Sequence, residues 1–154
     1  MTLTDYRLLQ KQLQELIDEE PRYVPLLSNT SALLFMTMDR LNWAGFYLLQ
    51  DEGTLVLGPF QGKTACIHIP VGRGVCGTAV QENRTILVKN VHDFPGHIAC
   101  DSASLSEIVV PIRDAEGRIL GVLDIDSPIE ARFSEEDREG LETLVRILEK
   151  GIVF

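Results

Sequence analysis

Six residues carry the chemistry this chain is able to do: three thiols and three carboxylates. Cys100 lies in a stretch of small and polar residues, His97-Ile98-Ala99-Cys100-Asp101, the setting of a reactive thiol rather than a packing residue. Cys76 stands at the start of a short helix opened by glycines. Free amides and the helix dipole there are expected to lower a thiol pKa. Cys66 falls on or beside a strand, where a cysteine taken alone is simply a small core hydrophobe. Three thiols on one side of a sheet supply a nucleophile and one or two resolving partners. A thiolate attacks, becomes a sulfenic acid or an adduct, and a second thiol closes a disulfide.

The carboxylates are Glu107, Asp124 and Asp126. In 118–126, strand alternation puts Ile119, Gly121, Leu123 and Ile125 on one face, and Leu120, Val122, Asp124 and Asp126 on the other. Glu107 precedes the apolar run Ile108-Val109-Val110-Pro111-Ile112. Acids inside apolar stretches are costly to bury unpaired. Each taken singly reads as a strand-end residue in water. Gathered beneath a covering loop with Trp43 and Tyr47, which share one face of 42–49, they make an acidic pocket with an aromatic wall. Such a pocket suits a small cationic or zwitterionic ligand.

Two other patterns are weaker. Gly72-Arg73-Gly74-Val75-Cys76-Gly77 matches a dinucleotide fingerprint, but no parallel βαβ unit surrounds it. The glycines more simply permit a tight turn into a helix. Cys66-x-His68 and His97-x-x-Cys100 are too irregular for a zinc site. His68, His92 and His97 therefore read as surface or hydrogen-bonded residues, and the acid run from Glu130 to Glu142 as a solvated helix face.

The elements that must position these groups follow from periodicity. Leu9, Leu13, Leu16 and Ile17 mark a helix that Glu20-Pro21 ends. A second helix spans about 24–39. Strands are expected at 42–49, 55–60, 66–70, 85–88, 107–113 and 118–126, with a short helix at 75–82 and a long loop at 89–104. A last helix starts at Ser134, with Asp137 in capping-box position. The order predicts an α+β fold: an antiparallel sheet of about six strands, helices on one face, and a loop-covered ligand pocket on the other.

The chain has 154 residues, enough for a core without disulfide staples. Its net charge of −9 argues against nucleic acid or an anionic membrane as partner. No apolar run is long enough to span a bilayer, no signal-peptide pattern opens the chain, and three cysteines do not make a secreted scaffold. The expected compartment is the cytoplasm.

A family resemblance rests on Asn29-Thr30-Ser31-Ala32-Leu33, Asn42-Trp43-Ala44-Gly45-Phe46-Tyr47, Leu57-Gly58-Pro59-Phe60-Gln61-Gly62-Lys63, Gly72-Arg73-Gly74-Val75-Cys76-Gly77-Thr78-Ala79, Gly96-His97-Ile98-Ala99-Cys100-Asp101 and Gly121-Val122-Leu123-Asp124-Ile125-Asp126-Ser127. From about residue 24 to 149 the chain resembles the free methionine-(R)-sulfoxide reductases, which are single GAF-type domains. The resemblance implies one such domain over 1–154, and free methionine R-sulfoxide as substrate. It implies Cys100 as nucleophile, Cys66 or Cys76 as resolving thiol with Cys66 favoured, and thioredoxin as external reductant in place of a cofactor. A homodimer is compatible with it. On this reading Glu107, Asp124 and Asp126 share at least one proton and activate the sulfoxide oxygen, and they also receive the substrate ammonium. Trp43 packs on the methyl end and Tyr47 lines the wall. The competing reading is a GAF-type sensor that binds a small molecule without chemistry.

Overall fold

The computed structural model describes residues 3–98 and 102–154. Helix α1 (Tyr6–Glu19) starts at Asp5, whose side chain accepts from the Leu8 amide, and buries Leu9, Leu13 and Ile17. It stops at Glu20, whose extended backbone is what the following proline demands. Helix α2 (Tyr23–Thr37) holds Pro25 in its first turn, where a missing N–H is tolerated. Strands β1 (Trp43–Leu49), β2 (Thr54–Gly62) and β3 (His68–Pro70) come next, then helix α3 (Gly74–Glu82) and strand β4 (Ile86–Val88). A 3₁₀ turn at Val91–Asp93 precedes β5 (Ser106–Arg113), β6 (Ile119–Ser127) and helix α4 (Glu135–Gly151). The third strand is two residues shorter than the 66–70 expected, so Cys66 sits in the approach to it.

The sheet runs β3-β2-β1-β6-β5-β4, and every neighbouring pair is antiparallel. Strand alternation divides the interior. Ala44, Phe46, Val110, Leu123 and Ile125 face α1, α2 and α4, while Trp43, Tyr47, Val109 and Val122 face α3. No helix among the described residues is long and apolar enough to cross a membrane.

Two expectations need correction. Ile119 does not share a face with Leu123 and Ile125; it packs against the α3 side. The ladder slips there, with Ile112 opposite Gly121 but Arg113 opposite Ile119. The extra residue reverses the alternation, as a bulge does. Asp137, expected in a solvated run, is buried. The Tyr6 hydroxyl donates to its Oδ1 at 2.6 Å, and Ser134 completes a capping box on Oδ2. The Arg132 guanidinium lies 3.4 Å away, with the two side chains 3% and 9% exposed. Burial, then the Asp137 carboxylate, pushes the Tyr6 phenol up. Removing one partner of a buried pair strands the other charge. Asp137→Ala is therefore expected to cost about 3–5 kcal/mol of folding stability in a urea titration. A loss below 1 kcal/mol would mean Arg132 reaches water in the variant.

Candidate functional site

The site is built on the face opposite α1, α2 and α4. Cross-strand register places its acids. Asp126 stands opposite Trp43 on one side and Glu107 on the other. Asp124, two residues back on the same face, stands between Gly45 and Val109. Like charges directly opposite one another are unfavourable in a sheet, and these are also withdrawn from water: Glu107 is 8% and Asp124 5% exposed. Period-two alternation thus brings together the three carboxylates that the sequence pointed to, with Glu107 and Asp124 buried and Asp126 half-buried.

The aromatic wall is also where expected. The Trp43 ring stacks on Tyr47 at 5.8 Å and on Phe60 at 5.1 Å between centroids. Each wall residue uses its polar tip to hold the adjoining segment. Trp43 Nε1 donates to the Lys63 carbonyl at 3.1 Å, and the Tyr47 hydroxyl donates to the Cys66 carbonyl at 2.9 Å. Burial, with Asp124 next, pushes the Tyr47 phenol up, so it remains a donor. The wall therefore fixes the backbone on which Cys66 is carried. Cys66 itself is half-buried and disulfide-bonded.

Helix α3 closes the top. Gly72 and Gly74 take positive φ (+89° and +62°), and a Cβ on Gly77 would lie 2.5 Å from the Pro70 carbonyl oxygen. These glycines make the tight entry into α3, with no parallel strand beside it. Cys76 is the third residue of the helix, free and buried. Its thiol is not lowered by the helix terminus as the sequence reading expected. Burial, followed by the charges of Asp124, Glu107 and Asp126, pushes it well up. Three nearby acids and the loss of water outweigh half a positive charge from one helix end.

The same forces order the carboxyls. Burial, then Asp124 and Asp126, drives Glu107 well above the ordinary carboxylate range. Burial is the largest influence on Asp124 and raises it as well, its neighbours Glu107, Cys76 and Asp126 offsetting only part of that rise. Both shifts favour the protonated form, and Glu107 is the acid displaced well above its ordinary value. The ligand atoms of Cys76, Glu107 and Asp124 lie within 4.8 Å of one another. They would suit a cation only with the thiol and Glu107 ionised, and burial favours their protonated forms, which do not ligate.

Trp43, Tyr47, Cys76, Glu107, Asp124 and Asp126 line one pocket. Arg73, His97 and Ser104 also line it, and sequence reasoning had not placed them there. Burial, then His92, lowers the His97 imidazole, which favours its neutral form. The Ser104 hydroxyl accepts from Asn42 Nδ2 at 2.9 Å. Neither residue has a local pattern that marks it. Proximity in sequence to Cys100 was the one available signal. Cys100 itself lies outside the described residues.

Comparison with known proteins agrees with this architecture. The GAF domain family matches residues 28–152. The chain is 55% identical to the free methionine-R-sulfoxide reductase of Escherichia coli over 145 residues, which is 94% of this chain and 87% of that protein. Among solved structures, it is similar to fRMsr of Staphylococcus aureus in complex with substrate: TM-score 0.93, 54% identity, 99% of each chain covered. It is also similar to the free methionine-R-sulfoxide reductase of Neisseria meningitidis in complex with its substrate, with TM-score 0.91 and 44% identity over 97% of this chain and 92% of that one.

Proposed function

Since the chain belongs to the GAF domain family and, within it, to the free methionine-R-sulfoxide reductases, we propose that it reduces free methionine (R)-sulfoxide to methionine as one GAF-type domain spanning 1–154. The observation that carries the reading is the cluster of Glu107, Asp124 and Asp126 under the Trp43–Tyr47 wall, in which burial and the neighbouring acids push Glu107 well up.

A sulfoxide sulfur is a poor electrophile until its oxygen is protonated or strongly hydrogen-bonded. Glu107 supplies that proton. Asp124, whose Oδ1 has no partner among the described residues, and Asp126 provide the negative field that receives the substrate ammonium. Trp43 packs against the methyl end, and Tyr47 lines the wall. The Cys100 thiolate attacks sulfur; the sulfur–oxygen bond breaks, oxygen passes to Cys100 as sulfenic acid, and methionine leaves with the electron pair. A resolving thiol then displaces the hydroxyl as water and forms a disulfide. Cys66 fits this role better than Cys76, because exchange needs an accessible thiolate and the Cys76 thiol is buried and held protonated. A dithiol protein of the thioredoxin type, in a reducing cytoplasm, returns both thiols. No resident cofactor or metal takes part in this scheme, and a homodimer is compatible with it. A pocket that must accept the ammonium and carboxylate of the amino acid excludes a sulfoxide within a peptide.

The test is an incubation with dithiothreitol and racemic free methionine sulfoxide. Conversion is expected to stall at half, with the S epimer left over. No conversion, together with tight cyclic-nucleotide binding, would favour a sensor. In Cys66→Ser about one equivalent of methionine is expected per chain, without recycling by thioredoxin. Sustained thioredoxin-driven turnover in that variant would reject Cys66 as the resolving thiol.

A further inference from the structure

Two buried carboxyls and a buried thiol converge in the pocket. The Cys76 sulfur and one carboxyl oxygen each from Glu107 and Asp124 all lie within 4.8 Å of one another. No salt bridge among the described residues reaches either acid. A second observation points to a ligand: Asp124 is 5% exposed, and its Oδ1 has no hydrogen-bond partner among the described residues. Buried carboxylates are ordinarily paired or coordinate metals. We propose that Cys76, Glu107 and Asp124 form a binding site for one divalent cation of the zinc class and, resting on the reductase reading above for this second part, that the bound ion excludes the sulfoxide and switches the enzyme off.

The donor set selects the ion. A thiolate is too soft for magnesium or calcium, and carboxylate oxygens are harder than copper(I) prefers. Zinc takes both kinds of donor, and three protein ligands with a fourth position open to water is one of its ordinary arrangements. Tetrahedral bonds to sulfur and oxygen place the donors about 3.6 Å apart, so groups already this close need side-chain adjustments of about 1 Å. Cys76 comes from the first turn of α3, Glu107 from β5 and Asp124 from β6. The close seat of Gly77 against the Pro70 carbonyl holds that turn on the sheet. Thr64 and Arg73 are exposed and line the same pocket, so an ion enters without unfolding. Only ionised groups ligate, and binding therefore expels the protons they carry. An ion on Glu107 removes the acid that must protonate the sulfoxide, and one on Asp124 removes an acceptor for the substrate ammonium.

Cys66 is disulfide-bonded while Cys76 is free, so oxidised protein without added reductant isolates the Cys76 thiol. Cobalt(II), a spectroscopic stand-in for zinc, is the probe. One cobalt ion per chain is expected to bind, with a thiolate-to-cobalt charge-transfer band and visible bands of tetrahedral intensity, and zinc should bleach both. The charge-transfer band is expected to vanish in Cys76→Ser, and the calorimetric zinc Kd to weaken at least about tenfold in Asp124→Asn. No charge-transfer band at saturating cobalt in the unsubstituted protein would overturn the site, whatever the variants do. So would a band that persists in Cys76→Ser, or an unmoved zinc Kd in Asp124→Asn. The second part is read on prereduced, desalted enzyme in a single turnover. Zinc is expected to slow methionine formation, excess sulfoxide to restore it, and Cys76→Ala to need at least about tenfold more zinc for the same inhibition. Equal zinc sensitivity in Cys76→Ala would move the inhibition to another thiol and overturn that part. If no sulfoxide is reduced even without zinc, the reductase reading fails, while the cobalt spectrum still decides the site.

Discussion

Cys100→Ser is expected to abolish methionine formation, with or without thioredoxin, while free methionine sulfoxide still binds. The argument concerns where the oxygen goes. Reduction of the sulfoxide requires an atom on the protein that can bond to sulfur and then accept oxygen from it. A thiolate does both and ends as a sulfenic acid. A serine hydroxyl is not ionised at neutral pH, and taking the oxygen would create a weak oxygen–oxygen bond. The binding surfaces, namely the Trp43–Tyr47 wall and the carboxyl cluster, come from β1, β5 and β6 and do not depend on residue 100. Calorimetric titration should therefore report a Kd within about threefold of the parent, the size of effect usual for a contact of under 1 kcal/mol. Residual turnover above about a tenth of the parent rate would transfer the nucleophile's role to Cys66 or Cys76.

Glu107→Gln is expected to separate activity from stability. Glutamine keeps the shape and can donate a hydrogen bond, but it cannot deliver a proton. Loss of a general acid costs about 100-fold or more in kcat. Stability moves the other way. Glu107 binds its proton more tightly in the folded chain than in the unfolded one, because burial and then Asp124 and Asp126 oppose its charge. Its contribution is complete below the ordinary carboxylate range and is lost as pH rises through the raised folded value. Glutamine has no such loss. The variant should match or exceed the parent in urea midpoint from neutral pH upward, and the parent's alkaline fall in kcat should be absent from what activity remains. A fully active variant, or one much less stable than the parent at alkaline pH, would remove Glu107 as the proton donor.

The racemic assay and the Cys66 variant address separate links of the same scheme: substrate and resolution. A substrate epimer preference without a carboxyl effect would leave the thiol chemistry standing and discard the acid.

Much of the fold was legible in residue order. Helical spacing in Leu9, Leu13 and Ile17, the Ser134–Asp137 capping box, and period-two alternation in 42–49 each anticipated the element observed. Alternation also put Asp124, Asp126 and Trp43 on the pocket side. These are short-range properties, set by backbone geometry and readable within one element. The misses share the opposite character. The slip at Arg113 and Ile119 depends on how two strands pair, and Asp137 is buried because Tyr6 and Arg132 arrive from elsewhere in the chain. The thiol of Cys76 followed the helix rule in position but not in charge. Residue order alone determined which side chains share a face, since that is local stereochemistry. Only the packed chain decided which of them hold protons, because ionisation depends on the water excluded and the charges gathered by distant segments.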